Sequence, residues 1–137
     1  MKLPSPREKL ADCVWLARIM AKARLSIAGQ LPPEYASRFG HPTGTDGQFL
    51  SFFQITKEDL LKICGRSDAA VAVWFLALPT VSPSRINEWN HLAVNLGRPG
   101  FPMAARLPIA LATVYKHLAG GKYETVFEIL EADEKSD

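Results

Sequence analysis

Seven side chains have types and spacings that could do chemistry: Trp15, Arg18, Lys22, Arg24, Asp46, Trp89 and Asn90. Three cations, Arg18, Lys22 and Arg24, fall within one short stretch of apparent helix, more than a core alone requires. At about 100° per residue, Trp15, Arg18 and Lys22 share one arc of that helix. A tryptophan beside two cations makes a place where a planar or anionic group can rest. The plainer alternative is a tryptophan covered by another segment, with two solvated cations on its rim. Arg24 falls instead in the opposite, apolar arc, with Leu10, Cys13, Leu16, Ala17, Met20 and Ile27. A guanidinium there must snorkel past the helix end or meet an acid, because an unpaired buried charge costs several kcal/mol. It is either a structural partner, with Asp46 the best candidate acid, or a pocket arginine that orients an anion. Asp46 itself follows a capping position, where a carboxylate favours the helix dipole. Asn90, next to Trp89, is a structural hydrogen-bonder or a ligand contact.

Other chemistry is missing. His41, His91 and His117 share no metal-ligand spacing, and no Glu-x-x-His pair exists. There is no nucleophile elbow, phosphate-cradling glycine loop or Cys/His signature. Cys13 and Cys64 are too few for a disulfide framework and read as reduced, buried thiols. No metal and no cofactor is expected, and no residue is assigned a catalytic role.

The elements that must position these side chains read as helices throughout. Ser5-Pro6-Arg7-Glu8 has the form of a capping box with proline at the first helical position, and Gly29 offers a left-handed stop. This predicts a long N-terminal helix over about residues 6–28. Residues 30–45, with three prolines and no periodicity, predict an ordered loop, since long structureless connections in compact domains are usually functional. Thr45, Thr56, Ser67 and Ser82 are caps for four further helices. Leu107, Leu111, Val114 and Leu118 form the stripe of another, begun or kinked by Pro108. A last short helix spans about 126–130. No alternating strand pattern or internal repeat appears. The expectation is an all-α single domain over residues 1–137, a compact bundle of about six helices.

The composition agrees with one globular domain. Apolar content is 47% and charged content 22%, which excludes a disordered or highly charged tail protein. At 137 residues the chain can bury about two-thirds of its unfolded surface. The longest apolar run, "AAVAVWFLALP", is about half of what spans a bilayer, and the start has no apolar leader region. A soluble, cytoplasmic protein with no membrane partner is expected. Net charge is only +2, but unevenly placed: residues 1–38 carry seven basic and three acidic side chains, and residues 119–137 two basic and six acidic. The ends are solvated separately, or they attract each other within a chain or across a dimer.

"SPREKL", "VWLARIMAKAR", "TDGQFLSFFQIT", "SDAAVAVWF", "INEWN" and "VFEILEADE" together resemble an uncharacterised bacterial family, domain of unknown function 5069. The likeness covers nearly the whole chain. It implies a small, soluble, helical bacterial protein with Trp15, Arg24, Asp46, Trp89 and Asn90 at recurrent positions. The chain departs from the pattern at Ala21, where members carry an acid, and in the remodelled loop "LPPEYASRFGHPTG". The family brings no activity with it. Three functional expectations follow from the residues. The first is a binding protein or enzyme for a small anionic ligand. The second is an interaction module or homodimer using the Trp15 face and the acidic tail. Nucleic-acid binding ranks last, because the basic surface is confined to one helix and offset by the tail.

Overall fold

The computed structural model describes residues 3–135; Asp137 of the acidic tail lies outside them. The chain is mostly helical, as expected, but it does not begin with a long helix. Ser5 opens a turn instead, its Oγ accepting from the Arg7 amide at 3.2 Å and its carbonyl from the Glu8 amide at 3.1 Å. A small antiparallel hairpin follows, β1 (Lys9–Leu10) and β2 (Cys13–Val14), with Lys9 opposite Val14 and Leu10 opposite Cys13. Its two turn residues, Ala11 and Asp12, both have positive φ, the geometry that suits the twist of a tight hairpin. Helix α1 starts only at Leu16 and runs to Ile27. Cys13 is therefore a strand residue, buried as expected.

The reason lies in α6 (Pro83–Val94). Asn90 Oδ1 accepts the Val14 amide at 3.0 Å, Asn90 Nδ2 donates to the Asp12 carbonyl at 2.8 Å, and Trp89 Nε1 donates to the Val14 carbonyl at 2.9 Å. These three bonds satisfy backbone groups that a helix would have paired within itself. A distant helix thus supplies the alternative to local helix formation, and the local capping signal at Ser5 loses.

Beyond the hairpin, residues 30–45 contain a single turn of helix, α2 (Pro33–Ala36), and lead into α3 (Thr45–Phe53). Thr45 is the first helical residue rather than the cap, which is Gly44. Helices α4 (Lys57–Ile63) and α5 (Asp68–Leu76) begin where their caps predict. Thr56 and Asp59 complete a capping box, and Ser67 Oγ accepts the Ala70 amide. Ser82 caps α6 in the same way. Gly29, at φ +70°, stops α1 as expected, with the Gln30 amide reaching back to the Leu25 carbonyl.

The expected leucine-striped helix near residue 110 is broken. Helix α7 (Arg106–Ala112) ends where Thr113 leaves helical backbone, and a 3-10 turn, Lys116–Leu118, follows. Pro108 sits in the first turn of α7, where its missing N–H costs nothing. No residue of α7 is buried, so the stripe lacks the packing that would extend the helix. Helix α8 (Val126–Lys135) is longer than expected and takes in most of the acidic tail. Among the described residues the bundle therefore has eight α-helices, not six, and one two-stranded hairpin. No helix among them is long and apolar enough to cross a membrane.

Phe49 and Phe53 of α3, Phe75 of α5 and Trp89 of α6 form the aromatic centre of the core, with ring centroids 5.1–6.2 Å apart. Helix α6 packs on β2, α3 and α8, while α1 packs on β1 and α4. The loop before α3 is drawn tightly onto that helix at Gly47. A Cβ there would stand 2.4 Å from the His41 carbonyl oxygen and 2.5 Å from that of Pro42. Gly47→Ala must push the loop away, and overpacking against backbone costs about 1–3 kcal/mol or more. Its urea midpoint should fall clearly below wild type. Gly65→Ala, where a Cβ meets nothing within 4 Å, is the control and should leave the midpoint unchanged or higher.

Candidate functional site

The Trp15 face of α1 is buried, not exposed. Trp15 is 2% exposed and stacks on Phe127 of α8, with centroids 5.6 Å apart and planes 16° from parallel. The two cations expected beside it are there. The Arg18 guanidinium carbon and Lys22 Nζ lie 5.3 and 5.2 Å from the indole ring centroid. Neither is a solvated rim charge: Arg18 is 1% exposed and Lys22 5%. Both faces of α1 are thus covered. Helix α8, which carries most of the acidic tail, closes the second.

The backbone at Trp15 carries strain. Its φ of 75° is left-handed, where a side chain with a Cβ costs roughly 1–2 kcal/mol. Such a conformation persists only where the surroundings over-determine it. Here the amide donates to the Pro6 carbonyl, Nε1 donates to Asp46 Oδ1 at 2.8 Å, and Phe127 holds the ring.

Asp46 is the acid at the centre, but its partner is Lys22 and not Arg24. Lys22 Nζ lies 3.2 Å from both carboxylate oxygens, and the Gly40 amide donates to Oδ2 at 3.1 Å. With Trp15 Nε1, three groups from two segments, α1 with its cap and the loop before α3, converge on one buried carboxylate. Burial pushes the Lys22 ammonium below the ordinary lysine range. The Asp46 charge draws it back up, and the Arg18 charge pushes it down again. Arg24 is half-buried and paired, as expected, yet elsewhere. It donates to the Cys64 and Arg66 carbonyls at 2.8 and 3.1 Å and meets Asp68 at 2.9 Å, fastening the end of α1 to the α4–α5 corner.

Arg18 differs in kind. Its two terminal nitrogens engage the two carboxylate oxygens of Glu134 in a fork, one at 2.9 Å, and one also donates to the Pro4 carbonyl at 3.0 Å. Its Nε is buried and has no hydrogen-bond partner among the described residues. Around the same end of α8, His117 Nε2 meets Asp133 Oδ1 at 2.6 Å, and Arg7 meets Glu131 at 3.0 Å. Arg38 lies over the Tyr115 ring at 5.7 Å. Burial raises the Tyr115 phenol above its ordinary range, Arg38 and Arg18 pull it down, and Asp133 and Glu134 push it up.

Five of the seven sequence-derived residues therefore separate into two groups. Trp15, Arg18, Lys22 and Asp46 come together, and Arg24 does not join them. Trp89 and Asn90 clamp the hairpin through Val14 and Asp12, and the ring beside Arg18 and Lys22 is that of Trp15. Sequence reasoning missed Glu134, Asp133, His117, Tyr115 and Gly40. For Glu134 and Asp133 the only signal was the excess of acid in the tail. Among the described residues, no three His, Cys, Asp or Glu side chains come together as a metal site would require. Burial drives the Cys13 thiol far above its usual range, so it is an inert core group.

The buried pair makes a stability prediction with a defined sign. Asp46→Asn leaves the Lys22 charge uncompensated, so near neutral pH it should cost about 3–5 kcal/mol. A Lys22 pKa already lowered by folding falls further in the variant. The unfolded chain then binds more protons than the folded one, and stability rises with pH. The deficit relative to wild type should shrink as pH climbs towards the ordinary lysine range, about 10. Chemical denaturation of both proteins across that range measures it. A deficit independent of pH would mean that the lysine charge is not the cause.

Comparison with curated proteins and with solved structures finds no match. A family model does match: described as Domain of unknown function (DUF5069), it covers residues 1–136, and the chain belongs to that family.

Proposed function

We propose that this protein binds a small anion, a carboxylate or a phosphate, on Arg18 with Trp15 as the adjoining wall. The proposal keeps the expectation of a single-domain, soluble protein of the bacterial cytoplasm. The observation that carries it is the state of Arg18: a guanidinium almost wholly buried, aimed at a carboxylate, with one N–H unpaired among the described residues. A planar guanidinium fork is the group best matched to carboxylate and phosphate geometry. Glu134, from the last turn of the last helix, stands where a ligand's carboxylate would sit.

Charge counting supports the same reading. Lys22 and Asp46 cancel one another, so without Glu134 the buried layer carries one uncompensated positive charge, that of Arg18. A single anionic group restores neutrality. Arg24, Trp89 and Asn90, with their backbone and ion-pair partners, serve as scaffold in this reading. The alternative of an interaction module on the Trp15 face gains less support, because Phe127 of the same chain already covers that ring.

Glu134→Gln should free the seat while keeping the helix. A ligand at ten times its Kd stabilises by about 1.4 kcal/mol, which is several degrees of Tm for a domain of this size. Sodium acetate or inorganic phosphate should therefore raise the Tm of Glu134→Gln, and raise wild type less. The effect should vanish when Arg18→Met is added. If neither anion shifts the variant beyond what chloride does, Arg18 is a structural residue and the proposal is wrong.

A further inference from the structure

Helix α8 is held in two different ways along its length. Phe127 and Ile129, in its first half, are buried in the core. After Ile129 no described residue of the helix is buried. Its final turns are fastened by carboxylates: Glu131 on Arg7, Asp133 on His117 and Glu134 on Arg18. Ion pairs between partly exposed side chains open at lower cost than apolar core contacts, so these turns are the part of α8 most readily exchanged for something else.

What it presents is specific. Two consecutive residues, Asp133 and Glu134, point about 100° apart on the helix. Each nevertheless finds a donor, and the two donors come from different elements, the 3-10 turn and α1. The carboxylate is a pure acceptor, so His117 Nε2 carries the hydrogen in that contact. Tyr115 lies beside His117, with ring centroids 6.3 Å apart, and beneath Arg38. Remove the two tail carboxylates and the region is left with Arg18, Arg38 and an imidazole donor, an excess that one monovalent anion does not fill.

Building on the Arg18 reading above, we infer that the ligand is a small dicarboxylate whose two groups replace the Glu134 and Asp133 side chains on Arg18 and His117. The tail then acts as a tethered competitor. A short tether gives an effective concentration in the millimolar range, so external acids bind weakly to wild type and more tightly once the tail carboxylates are neutralised.

The test uses the full chain carrying Asp133→Asn and Glu134→Gln, with Glu134→Gln alone as the second variant should the double one fail to fold. Calorimetry and thermal shift would compare acetate, succinate, glutarate and inorganic phosphate at constant ionic strength. Succinate or glutarate should bind at least about tenfold more tightly than acetate. Adding His117→Gln, at a half-exposed position, should erase that advantage and leave acetate binding unchanged. Dicarboxylates no better than acetate would overturn this inference and leave the Arg18 seat standing. Phosphate binding more tightly than either dicarboxylate, and depending on His117, would overturn the ligand class. If none of the four binds, both readings fall together.

Discussion

One buried carboxylate organises the polar half of this protein. Asp46 lies in the first turn of α3 and accepts from the Trp15 indole, the Lys22 ammonium and the Gly40 amide. Taking a carboxylate and an ammonium out of water costs several kcal/mol each, which only good geometry and additional hydrogen bonds repay. That requirement fixes three things at once. The indole must turn towards α3, which forces the left-handed backbone at Trp15. Helix α1 must begin immediately after it, so that Lys22 arrives two turns later. The loop before α3 must fold back far enough for Gly40 to donate, which Gly47 permits by presenting no Cβ to the carbonyls of His41 and Pro42.

The legible parts of the fold were those whose causes are local. Thr56, Ser67 and Ser82 cap helices because the partner amide lies three residues ahead, and such pairs can be read from a short window. Gly29 stops α1 for an equally local reason. Ser5 carried the same local signal and misled, since the competing bonds come from Trp89 and Asn90, about 75 residues away in sequence. A two-residue hairpin has no periodicity to detect, and its stability rests on those side chains. The stripe near residue 110 failed for the converse reason. Its period was helical, but Val114 remains exposed and Leu107, Leu111 and Leu118 are only partly buried, so the stripe gives a helix little to continue for.

The site was half legible. Spacing alone brought Trp15, Arg18 and Lys22 together, because residues three and four apart share a face wherever the helix lies. Their burial was not legible, since it depends on α8, whose acidic composition suggests solvent. The same blind spot gave Asp46 the wrong cation. Arg24 lies on the arc that looks like the core, so a buried acid was matched to it. Lys22, two residues earlier and about 200° around the helix, lies on the arc that α3 and α8 cover. Arg24 instead found Asp68 and two carbonyls at the α4–α5 corner, the latter a partner type that charge pairing does not anticipate.

The two cations on the covered arc, one helical turn apart, are compensated in unequal ways, and the functional reading rests on this inequality. Lys22 is matched to an acid held by three donors near the N-terminus of a core helix, so separating the pair disrupts α1, α3 and the intervening loop together. Arg18 is matched to an acid in the last turn of α8, and its own donor set is incomplete, with Nε unpaired among the described residues. A purely structural arginine at 1% exposure would be expected to have its donors filled, because an unpaired buried N–H costs about 1–3 kcal/mol. The fold tolerates that cost where the partner is most easily replaced. A buried, under-satisfied guanidinium facing a partly exposed carboxylate is the arrangement that supports the proposed anion site, and Lys22 beside it supplies the contrast.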